Sequence, residues 1–148
     1  MAHRERLEVV FADVDMMGHV NNATYFTYFE TARTNYLLRL NASREPFSAT
    51  DLDFIVARAS CDYKRGLRWG ERVEIVVWPS RLGETSFTFE YALLDAEGKV
   101  AARGETVQVS FDYSRQAKKA IPPGLRRTLE AEQKAGSGLA LPARGEAT

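Results

Sequence analysis

The stretch from residue 23 to residue 40 most constrains the fold, because it has the apolar spacing of a long helix and almost no charge. Apolar side chains recur at intervals of three and four residues, at Tyr25, Phe29, Ala32, Tyr36 and Leu40. Apart from Glu30 and Arg33, few charges interrupt the pattern. Because a surface helix normally has a strongly charged side, we expect other parts of the protein to cover this helix on most sides.

Strands are predicted before and after the helix. A short apolar segment at 7–11 precedes it, and alternating segments follow at 54–63, 73–77, 87–93 and 100–112. In the last segment, continuing the phase of Val107 and Val109 backward would bury Arg103 and Glu105. We therefore expect a β-bulge at Gly104, where the phase would slip.

These elements predict an α+β protein, the class in which a helix lies on one face of a sheet. A helix of roughly 18 residues spans about 27 Å, and a strand of ten spans about 33 Å. A curved antiparallel sheet of about five strands could therefore wrap one long central helix. The predicted domain covers residues 1–133 and ends with a short helix after Pro122 and Pro123. Residues 134–148 are rich in Gly, Ala, Ser and Pro, which predicts a flexible tail.

Composition excludes several classes of protein. The 148 residues suit one domain. Twenty basic and twenty acidic residues cancel, which argues against broad binding to nucleic acid or to an anionic membrane. The one cysteine cannot form an internal disulfide. Neither a transmembrane run nor a signal peptide is recognisable, so we expect a soluble, cytoplasmic protein.

Residues 11–26, FADVDMMGHVNNATYF, place two carboxylates, an imidazole and two carboxamides directly before the helix. The N-terminus of a helix presents unpaired N–H groups that can hold an oxyanion. Asp15, facing such groups across a carbonyl, could act as general base on water or attack directly. For Asp13 we favour a capping role, for Gly18 an unusual backbone angle, and for Asn21 or Asn22 an N-cap.

Other catalytic groups find little support in the sequence. With two histidines and one cysteine, there is no metal-ligand spacing such as HExxH or CxxC. No GxSxG elbow occurs either. A carboxylate acting without metal or cofactor is therefore the expected catalytic group of a hydrolase.

Basic side chains cluster in the sequence around the end of the 54–63 strand and its turn. They are Arg58, Lys64, Arg65 and Arg68. Arginine forks suit phosphate oxygens. The alternative is an ordinary solvated turn, and the sequence leaves both interpretations open.

The run FADVDMMGHVNNATYFTYFETAR resembles the signature of the hotdog-fold acyl-CoA thioesterases, the group that includes 4-hydroxybenzoyl-CoA thioesterase. The resemblance covers residues 4–122. It rests on the D-x-D-x-x-G-H-V-N-N run, on the aromatic helix with YFETAR, and on the order of the elements. The turn KRGLRWGE lacks a proline that many relatives carry, which weakens the inferred nucleotide contacts. The H-V-N-N run is closer to acyl-carrier-protein thioesterase-like members, so an aromatic substrate is not implied.

The resemblance implies a thioester hydrolase that cleaves an acyl-CoA or acyl-carrier-protein thioester. Asp15 would be the catalytic carboxylate, and the Asn22 N–H would polarise the carbonyl, helped by His19 or Asn21. The family forms homodimers or homotetramers with the active site at the subunit interface. The residues expected around the acyl group are Met16, Met17, Tyr25, Phe26 and Phe29, with Phe54 of the partner subunit. Arg58, Arg65 and Arg68 would lie near the phosphates of coenzyme A.

Two other functions on the same fold remain open. A non-catalytic acyl-CoA sensor is one, although such a protein gains little from a carboxylate beside a thioester. A hydratase is the other, but hydratases of this fold pair an aspartate with a histidine further along the chain, whereas Asp15 and His19 are neighbours in one loop.

Overall fold

A computed structural model of the chain describes residues 2–43 and 52–136. Two helices and six strands make up most of this region. In chain order they are β1 (His3–Glu8), α1 (Thr24–Ser43), β2 (Phe54–Tyr63), β3 (Arg72–Leu82), β4 (Ser86–Leu94), β5 (Val100–Asp112), β6 (Ala117–Lys118) and α2 (Pro123–Gly136). None of the helices in the described residues is both long and apolar enough to cross a membrane.

The sheet is antiparallel, and its strand order is β1-β3-β4-β5-β2, with β6 paired to β5. The predicted apolar side of α1 is the buried one, and it packs with the sheet into a single core. The residues of that side are Tyr25, Phe29, Ala32, Tyr36 and Leu40. The predicted α+β architecture, one long helix on an antiparallel sheet, is therefore confirmed.

The first strand differs from its prediction. Strand β1 occupies His3–Glu8 and pairs with β3, so it contains only residues 7 and 8 of the expected 7–11 strand, and residue 11 begins a 3-10 turn, Phe11–Asp13. Exposed and half-buried residues alternate along β1. A strand at the edge of a sheet needs apolar residues on only one of its sides. The apolar run at 7–11 therefore overlaps only the end of β1.

The bulge expected at Gly104 is absent, and the prediction was wrong. Gly104 pairs in register with both Cys61 and Tyr91, and the nearest register shifts lie between Val56 and Arg58 and between Leu93 and Leu94. A Cβ at residue 104 would overlap the ring of Phe29. Glycine is therefore needed for the close approach of α1 to the sheet.

The uninterrupted phase of β5 does bury Arg103 and Glu105, on the side of the sheet away from α1. Arg103 lies 3.5 Å from Glu90 and covers the ring of Trp78. Glu105 lies 3.4 Å from Arg58 and 3.6 Å from Arg81. Each buried charge is thus matched by an opposite one, which makes its burial tolerable.

Helix α2 covers the edge of β3 beyond the end of β1. The Gln133 side chain donates to the Ser80 carbonyl at 2.8 Å, and Leu125 and Leu129 enter the core. The helix continues to Gly136, so the first three residues of the expected tail are helical. Residues 137–148 of that tail lie outside the described residues.

Candidate functional site

The segment between Val14 and Val20 is closed into a tight loop before α1. These two residues form an antiparallel bridge. Inside the loop, Asp15 N–H donates to the His19 carbonyl at 3.0 Å, and Gly18 N–H donates to the Asp15 carbonyl at 3.0 Å. Gly18 has φ +83°, the left-handed conformation expected of it. The fold therefore presents Asp15 on a constrained backbone.

The Asp15 carboxylate is half-buried and held on both oxygens. Oδ1 accepts the Met17 N–H at 2.9 Å, and Oδ2 accepts from the Asn21 side-chain amide at 3.3 Å. A carboxylate oxygen has two lone pairs, so Oδ2 keeps capacity for a further donor. Within the described residues, no three His, Cys, Asp or Glu side chains converge as metal ligands would.

Asn21 and Asn22 form the entry to α1. The Asn21 side-chain oxygen accepts the Ala23 N–H at 2.9 Å, and its carbonyl accepts the Thr24 N–H at 2.9 Å. The Asn22 carbonyl accepts the Tyr63 hydroxyl at 2.8 Å. The Asn22 N–H makes no hydrogen bond to any described residue. One free amide donor thus stands at the end of the loop that carries Asp15.

A cleft of about 290 Å³ opens at this helix entry. It brings together four residues predicted for the site, His19, Asn22, Tyr25 and Arg65, and the other wall residues are Val20, Tyr63, Lys64 and Gly66. Asp15 lies on the adjoining loop and is not one of the wall residues. Two larger clefts, each about 580 Å³, lie elsewhere on the surface and contain no residue of this loop.

The His19 ring is exposed and lies against Gly66. A Cβ at residue 66 would stand 2.8 Å from the His19 Cδ2, so the imidazole can occupy this position because residue 66 is glycine. Met17, in the same loop, is 80% exposed in the single chain.

The tyrosines around the cleft are neutral donors at physiological pH. Burial, followed by the nearby Cys61, raises the pKa of Tyr63 to about 12. The same two causes raise the pKa of Tyr25, whose ring meets the Tyr63 ring edge-on at 4.9 Å. Burial and a 2.8 Å hydrogen bond to Asp13 raise the pKa of Tyr28. Asp13 also accepts the Val10 N–H, which agrees with the structural role expected for it.

The predicted basic cluster is divided in the structure. The Arg65 guanidinium is engaged by Glu71 at 2.7 Å and Asp95 at 3.1 Å. The Arg68 side chain is exposed and makes no ion pair with a described residue. Arg58 lies on the other side of the sheet beside Glu105, in the middle of β2. The structure therefore keeps Arg65 and Arg68 in one turn and does not bring Arg58 to them.

Of the phenylalanines predicted around the acyl group, Phe26 and Phe54 contact other aromatic rings of the same chain. The Phe26 ring packs edge-on against Phe29 with 6.1 Å between centroids. Phe54 begins β2 and packs against Phe87, whereas Tyr63 at the other end of β2 reaches the helix entry. Phe54 was expected from a partner subunit, and its position in one chain leaves that expectation open.

Tyr63 is the residue of this region that sequence reasoning missed. It is separated from Asn22 by 41 positions and had been noted only as part of a strand. An aromatic residue in a half-exposed strand carries no signal of a hydrogen bond to a distant carbonyl.

Comparisons with known proteins give a consistent result. The model of the thioesterase-like superfamily matches residues 9–129. The chain is 34% identical to YsmA of Bacillus subtilis over 116 residues, covering 78% of this chain and 76% of that protein. It is 25% identical to the acyl-CoA thioester hydrolase YbgC of Escherichia coli over 119 residues, covering 80% of this chain and 89% of that protein.

A solved structure supports the same relationship. A thioesterase from Thermus thermophilus, complexed with coenzyme A and Zn, superposes with a TM-score of 0.77 at 32% identity. The match covers 89% of this chain and 94% of that chain.

Proposed function

Because the chain belongs to the thioesterase-like superfamily, we propose that it hydrolyses an acyl-CoA thioester to a carboxylic acid and coenzyme A, with Asp15 as the catalytic carboxylate. The observation that carries this proposal is the link through Asn21. Its side chain contacts the Asp15 carboxylate at 3.3 Å and the Ala23 N–H at 2.9 Å. The Asn21 side chain thus bonds both to the Asp15 carboxylate and to the peptide that follows Asn22. It therefore holds the carboxylate close to the residue that carries the free N–H.

The chemistry follows from these two groups. The Asn22 N–H at the start of α1 would donate a hydrogen bond to the developing oxyanion, since this donor is fixed before the reaction and the helix dipole favours negative charge. Asp15 would take a proton from water as the water adds to the thioester carbon. The C–S bond then breaks as the oxyanion collapses, and Asp15 gives its proton to the departing thiolate of coenzyme A, which restores the carboxylate.

Direct attack by Asp15 would give a mixed anhydride that water then hydrolyses. Oxygen from water distinguishes the two routes only if water attacks the anhydride at the carboxyl carbon of Asp15. In a single turnover in H₂¹⁸O, the general-base route puts the label only into the product acid. Anhydride hydrolysis at the acyl carbon does the same, but attack at the carboxyl of Asp15 labels the protein.

The second subunit of a homodimer would complete the site through β2. This strand lies at the edge of the sheet, and its exposed residues include Ile55 and Val56. A long apolar edge strand is a template for pairing with another chain. Two antiparallel copies of β2 would bring Phe54 of the partner subunit beside Tyr63, and so beside the cleft. The predicted acyl-binding role of Phe54, with Met17, Tyr25 and Phe26, requires this assembly.

Bound coenzyme A would extend from the cleft towards the turn after β2. Arg68 is the predicted phosphate contact that remains available there, whereas Arg65 is occupied by carboxylates. An acyl-carrier protein could present its thioester to the same cleft, and cytoplasmic location remains a prediction.

A thiol-release assay tests the proposal. Short, medium, long, branched and aromatic CoA thioesters would be offered to the wild type, to Asp15→Asn and to Asp13→Asn. We expect Asp15→Asn to lower kcat by about three orders of magnitude or more. The matched variant Asp13→Asn keeps an oxygen acceptor for Tyr28 and should retain most of the turnover. Equal activity of Asp15→Asn and wild type would refute the role of Asp15, and CoA-ester binding without turnover would favour the sensor.

A further inference from the structure

We infer that Tyr63 is a positioning residue, whose hydroxyl fixes the Asn22 backbone so that the Asn22 N–H points at the substrate carbonyl. The inference rests on the proposed function and assigns a role to a side chain outside the loop and the helix. It starts from the 2.8 Å hydrogen bond that the Tyr63 hydroxyl donates to the Asn22 carbonyl.

The Asn22 N–H lies in the peptide plane before the Asn22 Cα, and the plane after the Cα restrains it through the φ and ψ of Asn22. The plane before it is held at the Asn21 carbonyl, which accepts the Thr24 N–H at 2.9 Å. The plane after it is held at both ends, by Tyr63 at the Asn22 carbonyl and by the Asn21 side chain at the Ala23 N–H. Since a peptide is planar, these bonds leave Asn22 little freedom in φ and ψ.

Tyr63 is itself placed by rigid parts of the fold. It ends β2, where it pairs with Ala102, and its ring rests edge-on against the buried Tyr25. Asn21 alone cannot supply the same restraint, because its amide contacts Asp15 at 3.3 Å and so ties the Asn22 peptide to the loop and not to the sheet. The Tyr63 bond therefore fixes the position of the proposed oxyanion donor relative to the sheet.

The consequence is specific to the transition state. An oxyanion donor acts where charge develops, so a small error in its direction weakens catalysis more than substrate binding. The raised pKa of Tyr63, about 12, keeps the phenol a neutral donor throughout the usual assay range.

The test compares Tyr63→Phe with Tyr113→Phe. Tyr113 donates a hydrogen bond of the same length, 2.8 Å, to the Phe54 carbonyl at the other end of β2. It therefore controls for the loss of one phenol–carbonyl bond. We expect Tyr63→Phe to lower kcat by about tenfold, with KM within about twofold of wild type. Tyr113→Phe should leave kcat unchanged, because the role proposed for Phe54 is acyl binding and a displaced Phe54 would change only KM. Both variants should keep the wild-type circular dichroism spectrum.

The pH profile separates positioning from proton transfer. The ratio of wild-type to Tyr63→Phe kcat should stay constant from pH 6 to 9, because a fixed neutral donor does not titrate there. A limb of the profile that disappears in the variant would instead make Tyr63 an acid or base and overturn the inference. Wild-type kcat in Tyr63→Phe, with Asp15→Asn inactive, would overturn this inference alone. An inactive wild type would overturn the proposed function as well.

Discussion

The ring of Phe29 lies so close to Gly104 that a Cβ added at residue 104 would overlap Phe29 Cε2. Phe29 is fully buried in the second turn of α1, and its ring also stacks on Tyr91 at 4.5 Å. This contact fixes the distance between α1 and the middle of the sheet. Asn22 lies at the start of the same helix, so the position of its N–H, the proposed oxyanion donor, depends on this contact.

Gly104→Ala should lower the free energy of unfolding by about 2 kcal/mol, because the added methyl group overpacks a rigid ring. Chemical denaturation monitored by fluorescence measures the change. Gly124→Ala is the matched control, since a Cβ there meets only Arg127 Nη2 at an ordinary 3.9 Å. We expect that variant to be neutral or slightly stabilised, because alanine favours a helix. Equal stability of Gly104→Ala and wild type would mean that the helix sits further from the sheet.

The same glycine shows what the sequence could and could not predict. The spacing of Tyr25, Phe29 and Ala32 identified α1 and its buried side, since that period depends only on the helix itself. The spacing in β5 was interpreted wrongly, because two charged residues were assumed to be incompatible with burial. Arg103 and Glu105 are buried beside opposite charges on β2, β3 and β4, which no local pattern could reveal.

For the candidate site too, the sequence could predict some contacts and not others. Asp15, His19 and Asn22 occur in one short loop, so their proximity followed from chain connectivity. Contacts between distant segments did not. The bond from Tyr63 to Asn22, and the carboxylates that occupy Arg65, depend on how β2 and its turn meet the rest of the sheet.

Arg68→Ala should raise KM for CoA thioesters by about threefold to fivefold and leave kcat nearly unchanged, because an exposed phosphate contact contributes mainly uniform binding. Steady-state kinetics with a CoA thioester and with its N-acetylcysteamine analogue measure this. The analogue has no phosphate, so its KM should not change. A kcat defect with both substrates would contradict the phosphate role.

Arg65→Ala should instead lower the free energy of unfolding by about 2 kcal/mol, since it leaves Asp95 without its guanidinium partner.

Asp95 should make the free energy of unfolding depend on pH in the acidic range. Burial alone would raise the pKa of Asp95, but the Lys99 and Glu97 N–H groups and the Arg65 guanidinium outweigh it and lower the pKa. The stability that this carboxylate provides is fully present above its unfolded pKa, about 4, and is lost as the pH falls through the lower folded pKa. The free energy of unfolding of wild type should therefore exceed that of Asp95→Asn by a constant amount from pH 6 to 8. The difference should shrink below about pH 4. Urea titrations at each pH measure it, and a difference unchanged at pH 3 would contradict this account.

Val56→Lys should convert the expected dimer to monomers, because lysine on an edge strand opposes pairing with another chain. Val56 is 43% exposed in the single chain, so the monomer should tolerate the change. Size-exclusion chromatography with light scattering measures the mass. Turnover should fall together with dimerisation, since Phe54 of the partner subunit would leave the cleft. Leu38→Lys is the control, because Leu38 is an apolar residue that is 56% exposed and belongs to α1, not to β2. A dimer that survives Val56→Lys and dissociates with Leu38→Lys would place the interface on the helix, and the acyl group would then need another wall.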